Sequence, residues 1–121
     1  MSKRILVVED DEDIAGVIRD KLVSFGYEVD TAFDGAAGLD AFSRNHYDGM
    51  TTGIRMPKVD GLEVVREVRK TNSTLPIIII SGARLSESDL KELMSRVQEF
   101  LVQPVDAAQL KQAVDQCFGP A

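Results

Sequence analysis

The chain contains no tryptophan, a single cysteine and a single histidine in 121 residues. One thiol, Cys117, excludes an internal disulfide. The lone imidazole, His46, sits at a helix end beside Tyr47 with no metal partner suggested. Extended apolar stretches are also missing. The longest aliphatic run is Ile77–Ile80, far short of the ~20 residues a membrane span needs. Met1-Ser2-Lys3-Arg4 leads straight into a strand-like segment, without the apolar stretch of a signal peptide. Surplus positive charge is absent too: 14 Lys and Arg stand against 20 Asp and Glu, a net charge of −6. That balance argues against a direct nucleic-acid binder, which needs cations gathered on one face. Gly35 and Gly38 do not follow a strand in a Gly-x-Gly-x-x-Gly pattern, so no dinucleotide fingerprint is present. What remains is ordinary globular composition, 44% apolar and 28% charged. The expectation is one soluble, cytoplasmic domain over residues 1–121.

Apolar runs and helical periods alternate along the chain. Ile5-Leu6-Val7-Val8 is continuous and apolar, the mark of a strand covered on both faces. Ile14, Val17, Ile18, Leu22 and Phe25 then recur at spacings of three and four, one stripe of a helix that Gly26 can end. Tyr27 to Ala32 reads as a more polar strand suited to an edge, followed by a helix capped by Asp34 and carrying Ala36, Leu39 and Phe42. Tyr47 to Thr52 is a third strand, and Met56–Gly61 is turn chemistry. Leu62, Val65 and Val68 mark a third helix, and Pro76 opens the strand Ile77–Ser81. Leu90, Leu93 and Met94 mark a fourth helix behind Ser86 as N-cap. Phe100–Val102 is a short fifth strand. Asp106 caps a last helix with Leu110, Ala113, Val114 and Cys117 inward, the thiol reading as a small core residue. Five such pairs predict an α/β fold with a parallel sheet covered on both faces.

In such a sheet, chemistry gathers beyond the carboxyl ends of the strands. Glu9-Asp10-Asp11-Glu12-Asp13 follows the first strand. Asp11, Glu12 and Asp13 read as the acidic first turn of a helix, where they complement its dipole. Glu9 and Asp10 lie at the strand tip, and two carboxylates converging there are candidate ligands for a hard cation such as Mg²⁺. Thr51, Thr52 and Gly53 end the third strand, Ser81 and Gly82 the fourth, and Gln103 and Pro104 the fifth. Alternation sends Thr51 and Gly53 to one face and Thr52 to the other. Arg55 and Arg84 lie on loops at this edge, from which either could serve Glu9 and Asp10 as a fixed counter-ion.

Four segments carry a resemblance. Val7-Val8-Glu9-Asp10, Met56-Pro57-Lys58-Val59-Asp60-Gly61-Leu62, Pro76 to Ala83, and Phe100-Leu101-Val102-Gln103-Pro104 follow one another in the order and spacing of a response-regulator receiver domain. The chain resembles that family over essentially its whole length. The resemblance implies a flavodoxin-like (βα)5 fold with strand order 2-1-3-4-5 and a role in two-component signalling. It also implies an aspartate at the end of the third strand that takes a phosphoryl group from a histidine kinase, with Mg²⁺ held by an acidic pair. By the same likeness Glu9 and Asp10 fall on that pair, Ser81 on the switch hydroxyl and Phe100 on the aromatic that moves with it. Pro104 falls on a proline whose preceding bond is often cis.

Two positions depart from the pattern. Gly53 stands where the resemblance places the phosphoacceptor, and Gln103 stands where it places an invariant lysine. A glycine cannot form an acyl phosphate, and an amide cannot neutralise a phosphoryl group of roughly −1.5 to −2 charge. At ~4 Å and an effective dielectric of ~20, each lost unit interaction is on the order of 4 kcal/mol before desolvation. The Mg²⁺ site is therefore expected to be weak or lost, leaving Asp10, a carbonyl near Arg55 and water, with Glu9 set further back. Losing −1 and +1 together keeps the local balance, which favours natural degeneracy over an inactivated version of a normal regulator. The leading expectation is a pseudo-receiver that needs no cofactor, is not an enzyme and does not depend on a histidine kinase. It would bind a protein partner, or itself, through the fourth helix, fifth strand and fifth helix around Lys91, Met94, Arg96 and Gln98. The alternative is a working phosphorelay receiver that uses Thr52, Ser81 or Asp10 as acceptor. A phosphatase built on Asp11-Glu12-Asp13 lacks the Gly-Thr that should follow.

Overall fold

Over residues 2–121, which the computed structural model describes, the alternation resolves into ten elements. They are β1 (Arg4–Val8), α1 (Glu12–Ser24), β2 (Glu28–Ala32), α2 (Gly35–Arg44), β3 (Gly49–Thr52), α3 (Gly61–Thr71), β4 (Ile77–Ser81), α4 (Glu87–Arg96), β5 (Glu99–Val102) and α5 (Ala107–Cys117). All strands pair in parallel in the order β2-β1-β3-β4-β5. The period-two geometry of the strands splits their apolar residues between two layers. Ile5, Val7, Ile78 and Ile80 pack with Ala15, Ile18 and Leu22 of α1 and with Leu110, Ala113 and Val114 of α5. Leu6, Val8, Met50, Ile77 and Ile79 pack on the other face, against Val64, Val65 and Val68 of α3 and Leu93 of α4. The sheet is thus sandwiched, which explains why its inner strands read as unbroken apolar runs.

Each helix opens on a side chain that accepts main-chain N–H groups. Asp11 caps α1, Asp34 α2, Asp60 α3, Ser86 α4, and Asp106 closes a capping box with Gln109 at α5. Such caps contribute about 1 kcal/mol each. They also fix where each chain segment turns, just past the strand ends, so the loops there have set starting points.

Three expected apolar stripes differ in the structure. Val17 of α1 is 53% exposed, because it borders an open groove of about 560 Å³ between α1 and the loop entering α5. Leu90 and Met94 of α4 are exposed while Leu93 is buried; α3 is the helix that flanks α4, so its stripe narrows. On α2, Ala36 faces solvent and the glycines are buried. A Cβ at Gly38 would lie 2.8 Å from Val8 Cγ2, so a bare backbone is what lets α2 sit this close to β1. Finally, β3 starts at Gly49, two residues later than the pattern suggested. Tyr47 instead tucks under the sheet and donates its hydroxyl to Asp30 at 2.7 Å.

Candidate functional site

The carboxyl ends of the strands enclose a cleft of about 600 Å³ walled by Glu9, Asp10, Gly53, Ser81, Arg84 and Gln103 among others. Main-chain bonds set its floor. The Glu9 N–H donates to the Ala32 carbonyl and the Gly53 N–H to the Val8 carbonyl, each at 2.9 Å. The loop after β3 then folds back so tightly that Gly61 donates to the Ile54 carbonyl at 2.7 Å. A Cβ at Gly61 would lie 1.9 Å from the Gly53 carbonyl oxygen, so this approach requires glycine.

Glu9 is the one buried acid of the cleft, 7% exposed. Its Oε2 accepts the Asp11 main-chain N–H at 3.1 Å. Its Oε1 faces Gly53, where an added Cβ would meet it at 3.0 Å. Desolvation pushes the Glu9 pKa up to about 7; the Asp11 N–H pulls the other way, and the Asp10 and Asp11 carboxylates add to the rise. Neither Arg55 nor Arg84 supplies a counter-ion. No ion pair among the described residues involves Glu9, Asp10, Arg55 or Arg84. Both arginines line the cleft with exposed side chains, where they keep their hydration.

The hydroxyls around the cleft are already engaged. Ser81 Oγ accepts the Ala83 N–H at 3.0 Å, and Thr52 Oγ1 donates to the Gly53 carbonyl at 2.9 Å. Thr51 and Thr52 are both buried. Thr51 pairs in register with Val7 and Ile78, Thr52 with Val8 and Ile79, so the two side chains serve opposite layers. Phe100 packs against the core on the α3 side. The Gln103 N–H donates to the Ser81 carbonyl at 3.1 Å, and the Gln103–Pro104 peptide bond is cis. Away from the cleft, exposed His46 lies 3.4 Å from Asp48, and Cys117 is partly buried against the α1–α5 layer, which raises its thiol pKa.

Against known families, residues 5–115 match the response regulator receiver domain. The chain belongs to this family. Among curated relatives, this receiver is 35% identical over 107 residues to the transcriptional regulatory protein RprY of Bacteroides fragilis, covering 88% of the chain and 45% of the relative. It is 36% identical to response regulator MprA of Mycobacterium bovis, covering 90% and 56%. The receiver thus spans about half the length of the curated relatives it matches. Among solved structures, response regulator TrrA of Thermotoga maritima, in complex with Mg²⁺ and BeF, superposes with a TM-score of 0.86. The two are 35% identical, and the match covers 95% of this chain and 98% of that one. The receiver family is a family of two-component signalling modules, and the sheet order found here is its order.

The position expected to carry the phosphoacceptor, Gly53, gives this receiver's cleft main chain alone. The resemblance implies a Mg²⁺ ion, and the residues present fit one poorly. Among the described residues no three His, Cys, Asp or Glu side chains come together as metal ligands. Glu9 is buried and turned onto the Asp11 main chain, so Asp10 is left as the one exposed carboxylate of the pair. Hard divalent cations take several oxygen ligands, carboxylates foremost. Sequence reasoning brought Glu9, Asp10, Gly53, Ser81 and Gln103 to one cleft. It missed that the Glu9 carboxyl covers Gly53; the available signal was the missing side chain itself, which frees space for the nearest neighbour.

Proposed function

We propose that this receiver is a naturally degenerate pseudo-receiver that acts as a phosphorylation-independent protein-interaction module. The observation that carries the reading is Gly53 at the end of β3, with a Glu9 carboxyl oxygen 3.0 Å from where a side chain would begin. Position 53 has no side chain to accept a phosphoryl, and the Glu9 carboxyl stands against it. Gln103 offers a neutral amide where the phosphoryl charge would need a cation. The Thr52 hydroxyl, buried and donated to the Gly53 carbonyl, argues against Thr52 as a substitute acceptor. A Mg²⁺ requirement falls with the acceptor.

A module without phosphorylation needs another source of bias. Driving a two-state equilibrium from 1:99 to 99:1 takes about 5.5 kcal/mol of differential binding, and here the sequence or a partner must supply it. The surface of α4, β5 and α5 is the proposed docking face, for another protein or a second copy. Lys91 and Met94 are exposed on it, joined by Leu90 and Val102. Arg96 and Gln98 are exposed there too, Arg96 pairing with Glu92 along the helix and Gln98 accepting the Ile77 N–H. The test is an NMR titration with beryllofluoride and Mg²⁺, the combination bound in the TrrA structure. Unchanged amide shifts in α4, β5 and α5 are expected; a concerted shift across that face would overturn the reading.

A further inference from the structure

Helix α4 buries a single residue, Leu93, fewer than any other helix. The bonds that hold it to α3 are polar. Arg66 of α3 grips Glu92 of α4 through two parallel hydrogen bonds, Nε to Oε2 at 2.6 Å and Nη2 to Oε1 at 2.7 Å. Arg96 of α4 approaches the same carboxylate at 3.3 Å. One turn further along α3, Arg69 donates from Nε and Nη2 to the Arg96 carbonyl at 2.9 and 2.6 Å, and from Nη1 to the Asn72 carbonyl at 3.1 Å. Those carbonyls stand at the C-terminal ends of α4 and α3. Helix ends of this kind carry orphan acceptors and partial negative charge. Among the described residues Arg69 forms no carboxylate pair. Its cation therefore answers two helix termini at once. Gln98 Oε1, 3.4 Å from Arg69 Nη2, accepts the Ile77 N–H at 2.7 Å and ties the group to the start of β4.

We propose that Arg66 and Arg69 form a clasp that fixes α4 on α3 and holds the exposed Leu90 and Met94 surface in one position. This deepens the reading of a permanently set docking face and rests on it. Isolated surface ion pairs contribute little. This one is bidentate, shares its carboxylate and is backed by a fork on helix carbonyls, the geometry that makes arginine contacts strong.

Amide hydrogen exchange on the whole chain tests the clasp. Arg66→Ala with Arg69→Ala should speed exchange of the α4 amides about tenfold or more, while α1 and α5 change less than about threefold. Raising salt from about 0.05 to about 0.5 M should speed wild-type α4 exchange more than that of α1. Unchanged α4 exchange in the double variant, or loosening spread evenly over all helices, would overturn the proposal. If that variant does not fold, salt-insensitive α4 exchange in the wild type overturns it instead. A beryllofluoride titration of the wild type keeps the two readings apart: a response there defeats phosphorylation independence, while α4 exchange still judges the clasp.

Discussion

Burial among acids, with no cation in ion-pair contact, holds the Glu9 carboxyl at about pKa 7, against an ordinary value of 4.5. Between those values the folded chain binds more protons than the unfolded one. The contribution of Glu9 to stability is therefore fully present below about pH 4.5, declines as pH rises to about 7 and is level above that. The shift sets an upper bound of roughly 3 kcal/mol on the change. Urea unfolding of the wild type and of Glu9→Gln checks it: the Gln variant should gain relative stability between about pH 5 and about pH 8. A difference that does not vary with pH contradicts this account of the cleft. The positions of Glu9 and Gly53 were legible from the order of strands and acids. The direction of the Glu9 carboxyl was not, because alternation stops at the strand end and nothing in the spacing dictates a rotamer there.

At the scale of elements, β4 and the helix caps were plain in the sequence. Four isoleucines before Ser81 can only suit a strand with both faces covered, and Asp34, Ser86 and Asp106 open their helices as their chemistry predicts. The burial of α4 was not legible. Its three-four stripe gives the helix, but its polar contacts to α3 come from Arg66 and Arg69, whose partners lie 26 and 27 residues away. The loop between β3 and α3 is a different case. Its Asp-Gly pair signals a turn, yet the close approach of Gly61 to the Gly53 carbonyl is a tertiary fact. Gly61→Ala forces main chain against main chain and should cost more than about 2 kcal/mol in urea unfolding. A loss under about 0.5 kcal/mol would mean the loop has slack that the structure does not display.

Taken whole, the molecule has the receiver sheet, capped helices and a cleft at the strand ends, with Gly53 after β3 and Gln103 after β5. Fold and cleft were legible because four motifs occur in register around one parallel sheet. The partner of the proposed docking face was not, since exposed side chains such as Met94 of α4 and Val102 of β5 do not by themselves name what covers them. On the proposed function, this cleft is not covalently phosphorylated. Intact mass after incubation with a small phosphodonor and Mg²⁺, run beside Gly53→Asp with Gln103→Lys, tests it most directly. The wild type should show no phosphoryl adduct, whereas the restored pair provides the acceptor and cation for one. A stable adduct on the wild-type chain would contradict the account.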